Sequence, residues 1–130
     1  MQSIYGLTEI TAICNQSLPE ESNELTETTV GYISDDVEIK VIDEKGEIVP
    51  FGVAGELCVK GYSTMIGYWG DEENTRKTLT EDGWIKTGDQ YILRKDGYGL
   101  IVGRIKDMLI RGGENIFPKV RNRTCVIVNC

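Results

Sequence analysis

The sequence contains no histidine, and this absence limits the chemistry available to the chain. Catalytic triads of the Ser-His or Cys-His type need an imidazole base, and many metal centres need imidazole ligands. Neither kind of site can be built from these residues. Any catalysis by this chain must therefore use carboxylates, lysine, arginine and backbone dipoles.

Cysteine is scarce and widely spaced, occurring only at Cys14, Cys58, Cys125 and Cys130. The sequence has no CxxC pair, and a zinc site made of cysteine alone would need closer spacing. This pattern favours free thiols in a reducing compartment over a disulfide framework.

Long apolar runs are missing too, since no segment approaches the roughly 20 apolar residues of a membrane span. The first residues have neither the basic nor the apolar part of a secretory signal. A net charge of −7 argues against general attraction to nucleic acid or anionic lipid. The basic residues that follow Glu114 are interpreted as a solvated tail in preference to a phosphate-binding patch. We therefore predict no nucleic-acid partner and no membrane span.

The sequence does contain several short segments in which apolar and polar residues alternate. Residues 37–43 and 55–61 have the period of half-buried strands, and further strands are predicted through 91–93, after the lead-in segment 84–89, and through 98–103. The Lys95-Asp96-Gly97 turn lies between the last two. The fold class predicted is mainly β, with an antiparallel, distorted barrel-like subdomain.

Helical signals are few. Residues 72–78 are predicted to form a short helix with Asp71 as its N-cap. The polar stretch 16–29 is predicted to be a surface loop. A short strand is expected at 108–110, and the polar stretch 103–107 is the expected domain boundary.

The first cluster of candidate functional residues is Tyr5-Gly6-Leu7-Thr8-Glu9. A tyrosine ring can stack on a planar base, and glycine lets the backbone approach a ligand closely. The hydroxyl of Thr8 and the carboxylate of Glu9 suit a nucleotide phosphate and its Mg²⁺. Without further context, Thr-Glu after a turn is also typical of a helix start.

The second and third clusters are Thr87-Gly88-Asp89 and Gly103-Arg104-Ile105-Lys106-Asp107. Asp89 could accept hydrogen bonds from both hydroxyls of a ribose, as acidic residues do in dinucleotide folds, or could cap a turn. Arg104 offers a planar fork of donors, or a surface ion pair with Asp107.

The fourth cluster spans residues 111–118 and contains the paired Gly112 and Gly113. Paired glycines indicate a turn, or a narrow channel where a thin ligand passes the backbone.

The order of these clusters resembles the adenylate-forming superfamily of acyl-CoA synthetases, adenylation domains and luciferases. The resemblance runs over residues 5–118, through Tyr-Gly-x-Thr-Glu, Gly-Glu-Leu…Gly-Tyr-Trp, Thr-Gly-Asp, Gly-Arg-x-Lys-Asp and Gly-Gly-Glu-Asn-Ile-x-Pro. The versions at 55–62, 65–70 and 112–118 are most similar to medium-chain fatty acid–CoA ligases. The resemblance implies that residues 1–106 are the β-rich end of a large AMP-binding domain within an α+β parent. Residues 107–130 would then begin a small C-terminal domain.

Such enzymes join a carboxylic acid to ATP, giving an acyl-adenylate and pyrophosphate, and then transfer the acyl group to coenzyme A. The resemblance implies that Tyr5 stacks on adenine beside Gly6, that Thr8 binds the α-phosphate and that Glu9 coordinates Mg²⁺. Asp89 and Arg104 would hold the ribose hydroxyls.

The resemblance also assigns the region after Arg104. Lys106 would occupy the hinge about which the small domain rotates between the two half-reactions. Gly112, Gly113 and Glu114 would lie along the route of the pantetheine arm of coenzyme A.

Parts of the family pattern are missing from the sequence: the phosphate loop, the acyl pocket and the catalytic lysine of the small domain. Residues 119–130 also diverge from it. We therefore expect a ligase fragment that is inactive by itself. The alternatives are a non-enzymatic truncated product that binds nucleotide or a partner such as a full-length homologue, and a fragment of an amino-acid-adenylating domain. By resemblance the location is intracellular, either mitochondrial or cytoplasmic.

Overall fold

The computed structural model describes residues 2–11, 13–111 and 114–116. Within these residues the strands form antiparallel sheets of three, four and two strands. The three-stranded sheet consists of β1 (Ile4–Tyr5), β2 (Asn15–Gln16) and β3 (Tyr32–Ile33). The four-stranded sheet consists of β4 (Val37–Ile42), β5 (Ala54–Gly61), β6 (Ile85–Leu93) and β7 (Gly99–Arg104). The two-stranded sheet consists of β8 (Leu109–Arg111) and β9 (Glu114–Ile116).

The mainly β, antiparallel fold is confirmed, but the barrel-like shape is not. The four-stranded sheet has the order β4-β5-β6-β7 and stays open, with β4 and β7 at opposite ends. A closed barrel needs the end strands of the sheet to pair with each other. No such pairing joins β4 and β7, so the four-stranded sheet in the described part of the chain is open.

The core lies on one face of this sheet, as the alternating pattern predicts. Its buried members include Val41, Leu57, Val59, Ile85 and Tyr91 of the sheet, with Ile10 and Cys14 packed against them. The buried Asn15 amide joins the two larger sheets, because its Nδ2 donates to the Tyr91 hydroxyl at 3.0 Å.

Gly99 begins β7 directly against the Tyr91 ring. A Cβ atom at this position would lie 1.8 Å from the Tyr91 hydroxyl oxygen. The backbone of Gly99 is also fixed from its other side, since its N–H donates to the Gly31 carbonyl at 3.1 Å and its carbonyl accepts from Val30 N–H at 2.8 Å. Glycine is therefore required here because a side chain has no room.

The predicted loop at 16–29 is wrong in part, because it contains a helix, α1 (Asn23–Thr28). Ser22 caps this helix by accepting from Leu25 N–H at 3.3 Å. The hydroxyls of Thr26, Thr28 and Thr29 donate to the carbonyls four residues before them. The helix is only six residues long and mostly polar, so it shows no apolar period from which it could be predicted.

The predicted short helix is confirmed as α2 (Glu72–Thr78). Asp71 caps it by accepting from Asn74 N–H at 3.1 Å. The pairs Glu72–Arg76 and Glu73–Lys77 lie four residues apart along its exposed surface. None of the helices in the described ranges has the length and apolar character of a membrane span.

The proposed division between residues 106 and 107 falls inside a 3-10 turn, Ile105–Asp107, and stays a prediction. The strand expected at 108–110 is present as β8, one residue further along. The paired glycines at 112 and 113 and the tail 117–130 lie outside the described residues.

Cys14 and Cys58 are buried free thiols, as predicted, whereas Cys125 and Cys130 lie outside the described residues. Burial raises the pKa of Cys14 to about 12 and that of Cys58 to about 11, from a model-compound value of 9.0. Both thiols are therefore neutral in the folded chain at pH values where they ionise in the unfolded chain. Their contribution to stability is complete below pH 9.0 and is lost as the pH rises through the folded-state values.

We expect the free energy of unfolding to fall as the pH rises above about 9, by up to roughly 1.4 kcal/mol per pH unit for each thiol. Burial also raises the pKa of Tyr5 and Tyr91, so these two phenols likewise lower the free energy of unfolding as the pH rises. Urea unfolding at several pH values measures the slope, and a Cys58→Ala variant should reduce it. A free energy of unfolding that stays constant between neutral and strongly alkaline pH would contradict this account.

Candidate functional site

The structure brings Tyr5, Asp89 and Arg104 together around one carboxylate. Asp89 and Arg104 are direct partners across β6 and β7, and Arg104 Nε lies 3.2 Å from Asp89 Oδ1. The Tyr5 hydroxyl donates to Asp89 Oδ2 at 2.7 Å. The Asp89 side chain is 9% exposed while that of Arg104 is 57% exposed. The result is a nearly buried carboxylate with an accessible guanidinium beside it.

The Tyr5 phenol stays protonated in this arrangement. Burial raises its pKa most, and the hydrogen bond to Asp89 raises it further. A neutral phenol can only donate to the carboxylate, so this contact is fixed in direction. Sequence reasoning expected Tyr5 to offer a ring and did not foresee this bond from its hydroxyl.

The path of β6 determines where Asp89 points. The pairs Cys58–Lys86 and Glu56–Gln90 place residues 87–89 of β6 opposite the single residue Leu57 of β5. A β-bulge of this kind re-aims the side chains that it carries. Gly88, inside the bulge, has a φ of +69°, which is left-handed backbone that suits glycine.

Two side chains stabilise this bulge. The Thr87 hydroxyl donates to the Leu57 carbonyl at 2.9 Å and accepts from Asp89 N–H at 3.1 Å. The Gly88 N–H donates to Glu56 Oε1 at 3.2 Å. Sequence reasoning missed both positioning roles, although the residues occur in the quoted Gly-Glu-Leu and Thr-Gly-Asp motifs.

Thr8 and Glu9 lie on a 3-10 turn, Thr8–Ile10, three residues after Tyr5. Thr8 is exposed and lines an open cavity of about 540 Å³ with Gly6, Leu7 and Thr11. The cavity therefore follows the Gly6-Leu7-Thr8 part of the segment that the sequence singled out.

The segment 63–68 holds this turn at three points. The Tyr68 hydroxyl donates to Glu9 Oε1 at 2.7 Å, and Met65 N–H donates to the Glu9 carbonyl at 2.8 Å. The Thr11 hydroxyl donates to the Ser63 carbonyl at 3.0 Å. The hydrogen bond to Glu9 is also the main cause that raises the pKa of Tyr68. Glu9 is thus a carboxylate with a fixed partner.

Glu9 does not belong to a larger group of metal ligands in the described part of the chain, where no cluster of three candidate ligands occurs. Mg²⁺ is commonly bound by one or two carboxylates together with substrate phosphates and water. A single carboxylate beside an exposed threonine is compatible with that mode of binding.

The structure also places Arg104 and the described residues predicted after it. Arg104 pairs with Asp89, whereas the alternative drawn from the sequence was a pair with Asp107. Lys106 is exposed in the 3-10 turn that follows β7. Glu114 begins β9 opposite Arg111, and Gly112 and Gly113 lie outside the described residues.

The sequence pattern of the AMP-binding enzyme family matches residues 1–69. The chain belongs to this family. That match includes the β1 strand and the Thr8–Ile10 turn but stops before Asp89 and Arg104.

Relatives extend the similarity to most of the chain's length. The acyl-CoA ligase sidI of Aspergillus fumigatus is 47% identical over 120 residues, which are 89% of this chain and 20% of that protein. The mitochondrial medium-chain acyl-CoA ligase ACSF2 of Danio rerio is 50% identical over 115 residues, 88% of this chain and 19% of that protein. The chain thus spans about a fifth of the length of these curated relatives.

Solved structures of the family show the same fold. ATP-bound MatB from Rhodopseudomonas palustris superposes with a TM-score of 0.88 at 31% identity, covering 98% of this chain and 25% of MatB. The chain is therefore similar in fold to part of a protein whose structure contains ATP.

Proposed function

We propose that Tyr5, Asp89 and Arg104 bind the adenosine of ATP in an ATP-dependent acid–CoA ligase of which this chain forms one part. The observation that carries the proposal is the arrangement of the Asp89 carboxylate. The Tyr5 hydroxyl donates to it, and the exposed Arg104 guanidinium lies beside it. Membership of the AMP-binding family and the similarity to acyl-CoA ligases support it.

Ribose recognition follows from the chemistry of these groups. A carboxylate accepts through two oxygens with about four lone-pair directions, so Asp89 retains acceptor capacity after bonding Tyr5 and Arg104. Vicinal ribose hydroxyls donate to such an acceptor, and the guanidinium donates to the hydroxyl oxygens in return. The Tyr5 ring, anchored through its hydroxyl, would then offer a face to the adenine.

The phosphate end of the nucleotide would lie along the Gly6–Thr8 segment. Thr8 lines the cavity, and its hydroxyl would donate to the α-phosphate. Glu9 would hold Mg²⁺ together with phosphate oxygens, since it offers the carboxylate that the ion needs. The Tyr68 hydroxyl would keep that carboxylate in one orientation.

The reaction that we assign to the longer protein joins a carboxylic acid to ATP, releases pyrophosphate and then transfers the acyl group to coenzyme A. A medium-chain fatty acid is the acid we propose, supported by the similarity to medium-chain acyl-CoA ligase ACSF2. Lys106 would be the hinge, and Gly112, Gly113 and Glu114 would line the coenzyme A path. A mitochondrial location is proposed on the same similarity, with the cytoplasm as the alternative. The 130-residue chain by itself is proposed to bind nucleotide without turnover.

Adenosine binding is tested by calorimetric titration of the 130-residue chain with AMP and with 2′,3′-dideoxy-AMP. We expect AMP to bind more tightly, by about 100-fold or more, because the dideoxy compound lacks the two hydroxyls that bond Asp89 and Arg104. AMP should also raise the thermal unfolding midpoint, since it binds only the folded chain. Equal affinities for the two nucleotides, or no AMP binding, would count against the proposal.

A further inference from the structure

The bulge that carries Asp89 leaves backbone groups outside the normal ladder between β5 and β6. Three residues of β6 face the single Leu57 of β5, so the amide and carbonyl groups of the extra residues need other partners. Half-buried groups without partners are costly, which makes the nature of those partners informative.

Two side chains supply these partners, one from β6 and one from β5. Thr87 belongs to the bulge itself and bonds its own strand and the Leu57 carbonyl. Glu56 lies on the neighbouring strand, and its Oε1 accepts from Gly88 N–H at 3.2 Å. Glu56 is therefore the side chain by which β5 holds the turn before Asp89.

Gly88 is the point in the bulge where an anchor has most effect. Glycine has no Cβ, so its backbone, here at a φ of +69°, has more alternative conformations than that of any other residue would have. A rotation at Gly88 changes the direction in which Asp89 leaves the strand. An anionic acceptor forms a stronger hydrogen bond than a neutral one, so the Glu56 carboxylate suits this task.

We propose that Glu56 is a positioning residue for ribose recognition: its carboxylate fixes the Gly88 amide and thereby aims Asp89 at Tyr5 and Arg104. The proposal rests on the proposed adenosine site and adds a residue that does not touch the nucleotide. It also gives a function to the Gly55-Glu56-Leu57 motif, which the proposed binding residues leave unused.

The test compares Glu56→Ala with Glu56→Gln and with a control, Glu38→Ala, at an exposed glutamate on the adjacent strand β4. The affinities for AMP and for 2′,3′-dideoxy-AMP are measured for each variant. Glu56→Ala should weaken AMP binding by about tenfold and dideoxy-AMP binding by much less, because the ribose hydroxyls bond Asp89 directly, whereas the adenine depends on it only through the anchored Tyr5 ring. Glu56→Gln keeps an oxygen acceptor for Gly88 and should remain within about threefold of the wild type. Glu38→Ala should match the wild type.

A second measurement needs no nucleotide. Amide hydrogen exchange should be faster at Gly88 in Glu56→Ala than in the wild type, with the strand amides of β4 unchanged. Equal losses of AMP and dideoxy-AMP affinity, or an unaltered AMP affinity, would overturn the positioning role. If the wild type binds no AMP, the proposed function fails, and exchange at Gly88 still decides whether Glu56 anchors the bulge.

Discussion

Replacing Asp89 with alanine is expected to weaken AMP binding by at least about 100-fold. The substitution removes the acceptor for two ribose hydroxyls, and a hydrogen bond to a charged group contributes about 1.5–3 kcal/mol. It also leaves the Tyr5 hydroxyl without its acceptor and frees the Arg104 side chain. The affinity of this variant for AMP should therefore fall to that for 2′,3′-dideoxy-AMP, as measured by calorimetric titration.

Two further variants separate charge from shape in this experiment. Asp89→Asn keeps an oxygen acceptor for Tyr5 but loses the negative charge that holds Arg104, so its affinity should lie between those of the wild type and the alanine variant. Asp96→Ala is the matched control, since Asp96 also pairs with an arginine, Arg94, but in an exposed turn. It should bind AMP as the wild type does. An Asp89→Ala variant that is folded and binds AMP normally would remove Asp89 from the site.

Replacing Gly99 with alanine is expected to destabilise the fold by about 3 kcal/mol or more. The new methyl group would lie 1.8 Å from the Tyr91 hydroxyl oxygen and 2.2 Å from the adjoining ring carbon. Either the ring moves and breaks the bond from Asn15, or β7 shifts away from β6. Overpacking typically costs 1–3 kcal/mol, and a buried polar group that loses its partner costs about as much again. Urea unfolding measures the difference.

Gly46→Ala provides the comparison for this substitution. Gly46 has a φ of +86° and an open space where a Cβ would stand, so its replacement tests backbone strain without a steric clash. We expect a cost of about 1 kcal/mol, as for other left-handed positions. A Gly99→Ala variant as stable as Gly46→Ala would show that β7 accommodates the methyl group freely.

The strands and the second helix were predictable because local signals determine them. The alternation of apolar and polar residues predicted β4 and β5, and Asp71 as an N-cap predicted the start of α2 at the correct residue. The first helix, α1, was not predictable from the sequence. Three threonine hydroxyls and one serine cap stabilise it, and it has no apolar face. The open sheet was also missed, since the number of strands that pair around a core is decided by tertiary packing.

The candidate site was predictable as a set of residue types but not as a geometry. Motif order pointed to Tyr5, Asp89 and Arg104, and the structure brings these three into contact. The hydrogen bond from the Tyr5 hydroxyl and the support from Glu56 depend on a bulge between β5 and β6. A bulge shifts the register after it, and a local pattern of alternating residues carries no record of such a shift.

The bond between Tyr5 and Asp89 joins residues 84 positions apart. Closing so long a loop carries an entropic penalty before any contact compensates for it, so this part of the molecule is expected to assemble late in folding. A chain still emerging from the ribosome would have no complete ribose site until Arg104 had left the exit tunnel. Nucleotide affinity would then report on complete assembly of the polypeptide.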